Sequence, residues 1–115
     1  MRLQFSRYSG DVVASTQAGT DAQFAQTLNV IEVCRQKCVI PIVLTPFPNA
    51  SIPSAASYCA RVMALPEWVI KLDANSILNN GTPTAYNALY NTDGTHTNDA
   101  GHRAVATALM AQLPI

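Results

Sequence analysis

The stretch Val39-Ile40-Pro41-Ile42-Val43-Leu44 is a continuous apolar run in which β-branched residues predominate. Such a run is typical of a strand that is covered on both faces, as in a parallel sheet. Pro41 removes one donor from the ladder of hydrogen bonds, so we expect it at an edge position or at the strand's start. Thr45-Pro46-Phe47-Pro48-Asn49 then ends the strand. The run therefore predicts a buried strand of a parallel sheet.

A helix is predicted before this strand and another after it. Thr20-Asp21-Ala22-Gln23 matches a capping box with Thr20 as the N-cap. Apolar residues then recur at helical spacing, namely Phe24, Leu28 and Ile31. Beyond the strand, Pro53 suits the first turn of a helix that runs to about Met63. The central strand is thus flanked along the chain by two helices.

Further strands and a last helix complete the pattern. Residues 2–7 alternate like a short strand, and residues 68–72 predict another with Asp73 capping its end. Residues 75–92 are looser, with one helical turn expected between Pro83 and Leu89. A last helix is predicted from about Asn98 to Leu113. Alternating strands and helices predict an α/β fold with parallel strands and right-handed crossovers.

The composition is that of one globular domain. The chain has 115 residues, of which 49% are hydrophobic and 12% charged, and this mixture argues against disorder. Seven basic residues balance seven acidic ones without a Lys/Arg cluster, which argues against a nucleic-acid partner. We expect no membrane span. Residues 1–8 lack the features of a signal peptide, so the compartment stays open.

The three cysteines are Cys34, Cys38 and Cys59. The spacing of Cys34 and Cys38 lacks the second pair of ligands that a structural zinc site requires. We expect free thiols that pack as small hydrophobic side chains. A bridge between Cys34 and Cys38 is the alternative.

The strongest chemical signal is Asp93-Gly94-Thr95-His96-Thr97-Asn98-Asp99-Ala100-Gly101. An imidazole acts as a base only in a fixed orientation, and a carboxylate one tight loop away can hold one ring nitrogen while the other faces a substrate. Asn98 can cap the helix that follows. Asp93 and His96 are therefore a candidate acid–base pair. A metal site of Asp93, His96 and His102 is the weaker reading, because the spacing offers no strong third ligand.

The stretch from Asp93 to Gly101 resembles the last conserved block of the SGNH hydrolases, also called GDSL-type esterases. Residues 39–48 are similar to that family's fourth strand and the proline loop after it, and residues 69–74 to its fifth strand. The resemblance implies a three-layer α/β/α sandwich of flavodoxin-like type around a parallel sheet. It covers nearly the whole chain but only the C-terminal half of the family's domain. Residues 1–115 are thus expected to form a single partial domain of about three strands.

The resemblance also implies a function, namely hydrolysis of small esters or of acyl esters of carbohydrates without a cofactor. His96 would be the general base and Asp93 its partner. The family's nucleophile lies in a Gly-Asp-Ser motif, which this sequence lacks. The family's oxyanion asparagine would fall near Ser9 and Gly10, where glycine takes its place. Ser9 could stand in for the nucleophile, although a loop serine bonded to its own backbone is the simpler reading.

Two functional readings remain. The first is an ester hydrolase whose serine comes from elsewhere: a preceding segment, a second subunit or another residue of this chain. The second is a non-catalytic remnant or interaction module of the same fold. A sheet without its first two strands would expose one edge, and exposed edges favour self-association. A homo-oligomer formed through that edge, or a poorly soluble monomer, is therefore expected.

Overall fold

The computed structural model describes residues 2–7, 17–50, 55–91, 93 and 96–113, and the backbone alone for residues 2–7. Strands and helices alternate within these residues, which gives the predicted mixed α/β fold. In chain order the elements are β1 (Arg2–Arg7), α1 (Gln17–Gln36), β2 (Val39–Leu44), α2 (Ala55–Met63), β3 (Ile70–Leu72), α3 (Ala74–Leu78) and α4 (Asp99–Met110). A short 3₁₀ helix, Ala88–Tyr90, precedes α4.

The strands form a parallel sheet, as the sequence predicts. Their order in the sheet is β1-β2-β3. All six residues of β1 pair with β2, from Arg2 opposite Val39 to Arg7 opposite Leu44. β3 pairs only with the second half of β2, where Ile70 lies opposite Ile42 and Leu72 opposite Leu44. The apolar run that begins at Val39 is therefore the central strand of the described sheet.

Pro41 lies within this central strand, so the prediction of an edge position or a strand start is wrong. Its Cα lies opposite Gln4 of β1. Within the described residues, β3 pairs with β2 only from Ile42 to Leu44, so β2 has an open side at Pro41 there. β2 is therefore the central strand by its order among the described strands, but one of its sides is unpaired at Pro41. Such a position tolerates a residue without a backbone donor.

Two hydrophobic clusters meet at β2. Val43 belongs to a cluster with Ile31 of α1 and with Tyr58 and Val62 of α2. The next residue, Leu44, belongs to a second cluster whose other buried members are Leu72, Ala74, Leu78 and Val105. Successive side chains of a strand point to opposite faces, so the two clusters lie on opposite faces of β2.

Helix α1 differs from its prediction at the N-terminus. The helix begins at Gln17, so Thr20 lies inside it and is buried, and the prediction of Thr20 as an N-cap is wrong. The buried residues of the helix are Thr20, Ile31 and Cys34, whereas Leu28 is exposed. Packing of this side of the helix against the sheet and α2 thus outweighs the local capping signal, which tertiary contacts commonly override.

The other predicted boundaries agree more closely. Helix α2 ends at Met63 as predicted, while its expected start at Pro53 lies outside the described residues. β3 is shorter than predicted and begins at Ile70, because the chain still turns at Trp68. Asp73 caps α3 by accepting a hydrogen bond from Ser76 N. The helical turn predicted between Pro83 and Leu89 lies later in the chain, as the 3₁₀ helix Ala88–Tyr90.

Candidate active site

The candidate pair lies on a loop that is closed at its base by hydrogen bonds. Asn91 and Thr97 form an antiparallel bridge across the loop. The Thr97 hydroxyl donates to the carbonyl oxygen of Tyr90 at 2.9 Å, and the backbone N–H of Asn98 donates to the same oxygen at 2.9 Å. The two ends of the loop that carries Asp93 and His96 are thereby held together.

Asp93 and His96 are in direct contact, and both carboxylate oxygens take part. Oδ2 lies 2.9 Å from Nδ1 of the His96 ring, and Oδ1 accepts the backbone N–H of His96 at 2.8 Å. The hydrogen-bond network assigns the ring proton to Nδ1, since a carboxylate is an acceptor. This leaves Nε2 as the nitrogen that can accept a proton from another group. The structure thus brings the two predicted residues into direct contact.

The pair lies at the protein surface. The side chain of His96 is 71% exposed and that of Asp93 is 52% exposed. Exposed ion pairs stabilise a fold by only about 0–1 kcal/mol. The contact therefore contributes little to the stability of the fold. The exposure leaves the His96 ring accessible to a molecule from solution.

Helix α4 starts directly after the pair and anchors the loop. Asn98 is its N-cap, as predicted, because its Oδ1 accepts the backbone N–H of Gly101 at 3.0 Å. The amide nitrogen of the same side chain donates to the carbonyl oxygen of Leu89 at 3.0 Å. One asparagine thus connects the helix, the loop and the 3₁₀ helix. Such a cap stabilises a helix by about 1 kcal/mol.

A buried asparagine supports the segment that leads to this loop. The side-chain nitrogen of Asn75 donates to the carbonyl oxygens of Pro46 and Pro83, each at 2.9 Å, and its Oδ1 accepts from the Asn79 side chain at 2.9 Å. Asn75 is only 2% exposed. It therefore ties the loop after β2 to the segment before residue 91. Sequence reasoning missed this role, because the acceptors of the Asn75 side chain lie 29 and 8 residues away along the chain.

A second polar group joins the ends of β2 and β3. The Thr45 hydroxyl donates to Asp73 Oδ1 at 3.0 Å and accepts the backbone N–H of Asn75 at 2.8 Å. Cys59 of α2 lies beside them: burial, and secondarily the charge of Asp73, raises the pKa of its thiol to about 11. A thiol with so high a pKa is protonated at neutral pH, so Cys59 is poorly suited to act as a nucleophile.

The other candidate residues are Ser9, Gly10 and His102. Ser9 and Gly10 lie outside the described residues. His102 lies on α4 and is exposed. Within the part of the chain that the structure describes, no three His, Cys, Asp or Glu side chains are grouped closely enough to hold a metal ion, so the alternative site with His102 is not formed there.

The cysteines are free thiols, as predicted, and the alternative bridge between Cys34 and Cys38 is not formed. Cys34 is buried in α1, whereas Cys38 is exposed after the helix end. None of the helices described has the length and apolar content that a membrane crossing requires.

The fold has a counterpart among solved structures. A crystal structure of a proposed acylhydrolase from Bacteroides fragilis matches this chain with a TM-score of 0.72 and 23% sequence identity. The match covers 80% of this chain and 50% of the other, so the chain spans about half the length of that neighbour. No protein-family model matches the sequence, and neither does any curated protein. At this identity the likeness establishes the fold: a mixed α/β fold with a parallel sheet, shared with a hydrolase-type neighbour.

Proposed function

We propose that this chain is the C-terminal half of an SGNH-type ester hydrolase, in which His96 is the general base and Asp93 orients it. The observation that carries the proposal is the double contact between the two residues. Asp93 bonds both the ring and the backbone of His96. This fixes the ring relative to its own main chain and directs Nε2 away from the carboxylate.

The fold of the described residues supports the proposal. The two clusters on opposite faces of β2 are contributed by α1 and α2 on one side and by α3 and α4 on the other. That distribution is what a three-layer α/β/α sandwich of flavodoxin-like type requires. We therefore propose that residues 1–115 make up one partial domain of that architecture. The likeness to the Bacteroides fragilis protein, a proposed acylhydrolase, agrees with this class of chemistry.

The proposed reaction follows from the roles of the two residues. A serine hydroxyl attacks the carbonyl carbon of the ester while Nε2 of His96 takes its proton. The imidazolium that forms is stabilised by the Asp93 carboxylate at Nδ1. His96 then gives the proton to the departing alcohol, and water releases the acyl group by the same steps. The reaction needs no cofactor, and small or carbohydrate acyl esters are the proposed substrates.

The nucleophile is proposed to come from outside these 115 residues, because the sequence has no Gly-Asp-Ser motif. The matched part of this chain equals half of the neighbour's length, so a segment of similar size would supply the rest of such a domain. Ser9 and Gly10 are proposed to lie near the oxyanion site. The glycine lacks the side-chain amide of the family's asparagine, and loss of one oxyanion donor costs about a hundredfold in rate.

The experiment uses the product of the complete reading frame that encodes this chain. We expect it to hydrolyse short-chain aryl esters and to be labelled on serine by a fluorophosphonate. His96→Ala should lower kcat by about 10²–10⁴-fold, as loss of general base catalysis does. His102→Ala is the matched control, because this second histidine is exposed on α4, and its rate should be unchanged.

Two results would decide against the proposal. Equal rates in the wild-type protein and in His96→Ala would remove the pair from catalysis. Absence of both serine labelling and hydrolysis would favour the second reading, in which the chain is an interaction module derived from this fold.

A further inference from the structure

Asn91 lies at the base of the loop and reaches both members of the candidate pair. Its side-chain nitrogen donates to the backbone carbonyl oxygen of His96 at 2.7 Å. The same nitrogen lies 3.5 Å from Oδ1 of Asp93, which is a long contact. The amide therefore spans the loop from the main chain of the base to the carboxylate that holds the base.

The orientation of the Asn91 amide follows from its neighbours. Both neighbouring atoms, the His96 carbonyl oxygen and the Asp93 carboxylate oxygen, are acceptors. The reversed orientation would place Oδ1 of Asn91 against two acceptors, whereas the NH₂ group offers two donors. The backbone of Asn91 is itself fixed by its bridge to Thr97, so the amide is a donor in a defined position.

This geometry restrains His96 from its backbone side. Asp93 holds the N–H and the ring of His96, and Asn91 holds its carbonyl oxygen. With both backbone polar groups of His96 bonded within the loop, rotation of the residue as a whole is opposed. Rotation would carry Nδ1 away from Asp93. Because the pair is exposed to water, a ring released from Asp93 would bond solvent instead.

We propose that Asn91 is a positioning residue for the Asp93–His96 pair: by holding the His96 carbonyl it keeps Nδ1 of the ring on the carboxylate. The proposal rests on the proposed function only in giving Nε2 of His96 the role of proton acceptor. The contacts themselves predict a property of the ring that can be measured without any substrate. That property is the tautomer of neutral His96, since a carboxylate at Nδ1 favours the proton on Nδ1.

The experiment is a ¹⁵N NMR measurement of the tautomer of His96, at a pH where the ring is neutral. In the wild-type chain we expect the Nδ1–H tautomer to be enriched. In Asn91→Ala we expect its share to fall toward that of Asp93→Asn, which marks the loss of the carboxylate. Asn80→Ala is the matched control: Asn80 also closes a local turn, by accepting from Thr82, but none of the contacts described here joins it to the pair. The share of the Nδ1–H tautomer of His96 in Asn80→Ala should equal that in the wild type.

A second variant keeps the test decisive. Asn91→Asp has the same shape but no donor, and it serves where Asn91→Ala does not fold. An unchanged tautomer in a folded Asn91 variant would overturn the proposal. Unfolding of both Asn91 variants, while Asn80→Ala folds, would overturn it as well, because Asn91 would then serve the fold as a whole. Absence of ester hydrolysis would refute the proposed function but would leave this measurement unaffected.

Discussion

Thr97 and Gly101 are fitted to each other at the start of α4. A Cβ atom built on Gly101 would lie 1.8 Å from Oγ1 of Thr97 and 3.1 Å from a methyl group of Leu78. The Thr97 hydroxyl cannot simply turn away, because it donates to the carbonyl oxygen of Tyr90 and its β-branched side chain has few rotamers. The small residue at this point of the sequence is therefore required by the loop that carries His96.

Gly101→Ala should destabilise the protein and disturb the loop. Overpacking costs about 1–3 kcal/mol, and loss of the Thr97 hydrogen bond adds about 1 kcal/mol. The higher helix propensity of alanine returns about 1 kcal/mol. We expect the free energy of unfolding, measured in urea, to fall by about 1–3 kcal/mol. In a Thr97→Ala background the same substitution should cost less. Wild-type stability of Gly101→Ala would contradict the close contact.

Asn75→Leu should lower the free energy of unfolding more than the same substitution at an exposed position. It leaves the carbonyl oxygens of Pro46 and Pro83 and the Asn79 amide without the partner described above. Each buried group that loses its partner costs about 1–3 kcal/mol, so we expect a loss of about 2–5 kcal/mol in thermal or urea unfolding. Asn80→Leu, at an exposed position, is the control. Similar losses in both variants would show that the buried network contributes little.

Thiol labelling should distinguish Cys38 from Cys59. The pKa of Cys59 is raised to about 11, mainly by burial, so about one molecule in a thousand carries the reactive thiolate at pH 8. Cys38 is exposed and should be alkylated first by iodoacetamide, as followed by peptide mass spectrometry. The rate at Cys59 should rise about tenfold for each pH unit up to pH 11. Equal rates at the two thiols would contradict the burial of Cys59.

The same raised pKa predicts a loss of stability in alkali. The ordinary pKa of the thiol is 9.0, and its pKa in the folded protein is about 11. Above pH 9 the unfolded chain releases this proton more readily than the folded one, so deprotonation favours unfolding. The contribution of Cys59 is fully present below pH 9 and is lost as the pH rises to about 11. In Cys59→Ala this part of the pH dependence should be absent.

Self-association through a sheet edge remains a proposal. Within the described residues, β1 pairs with β2 alone, and so does β3. Unpaired strand edges favour pairing with another chain. Light scattering should therefore give a mass above 12.3 kDa that rises with protein concentration. A mass that stays at the monomer value over a wide concentration range would exclude this mode of association.

Sequence reasoning succeeded for features that depend on residues close together in the sequence. The apolar run from Val39 predicts the buried parallel strand, and Asn98 caps α4 as expected. Asp73 lies after the third strand as expected, but it also caps α3, a helix that the sequence did not predict. It failed where tertiary packing decides. Thr20 is buried inside α1 instead of capping it. The role of Asn75 depends on carbonyl groups that lie 29 and 8 residues away, and no local pattern specifies such a contact.

The hydrogen bonds that orient His96 come from Asp93 and Asn91, which lie three and five positions before it. The contacts that orient this imidazole thus come from a short segment of sequence around it, and the sheet supports that segment. A segment this short can be grafted onto another scaffold and tested there for the same contacts. For ester hydrolysis the pair requires a nucleophile within reach of Nε2 of His96.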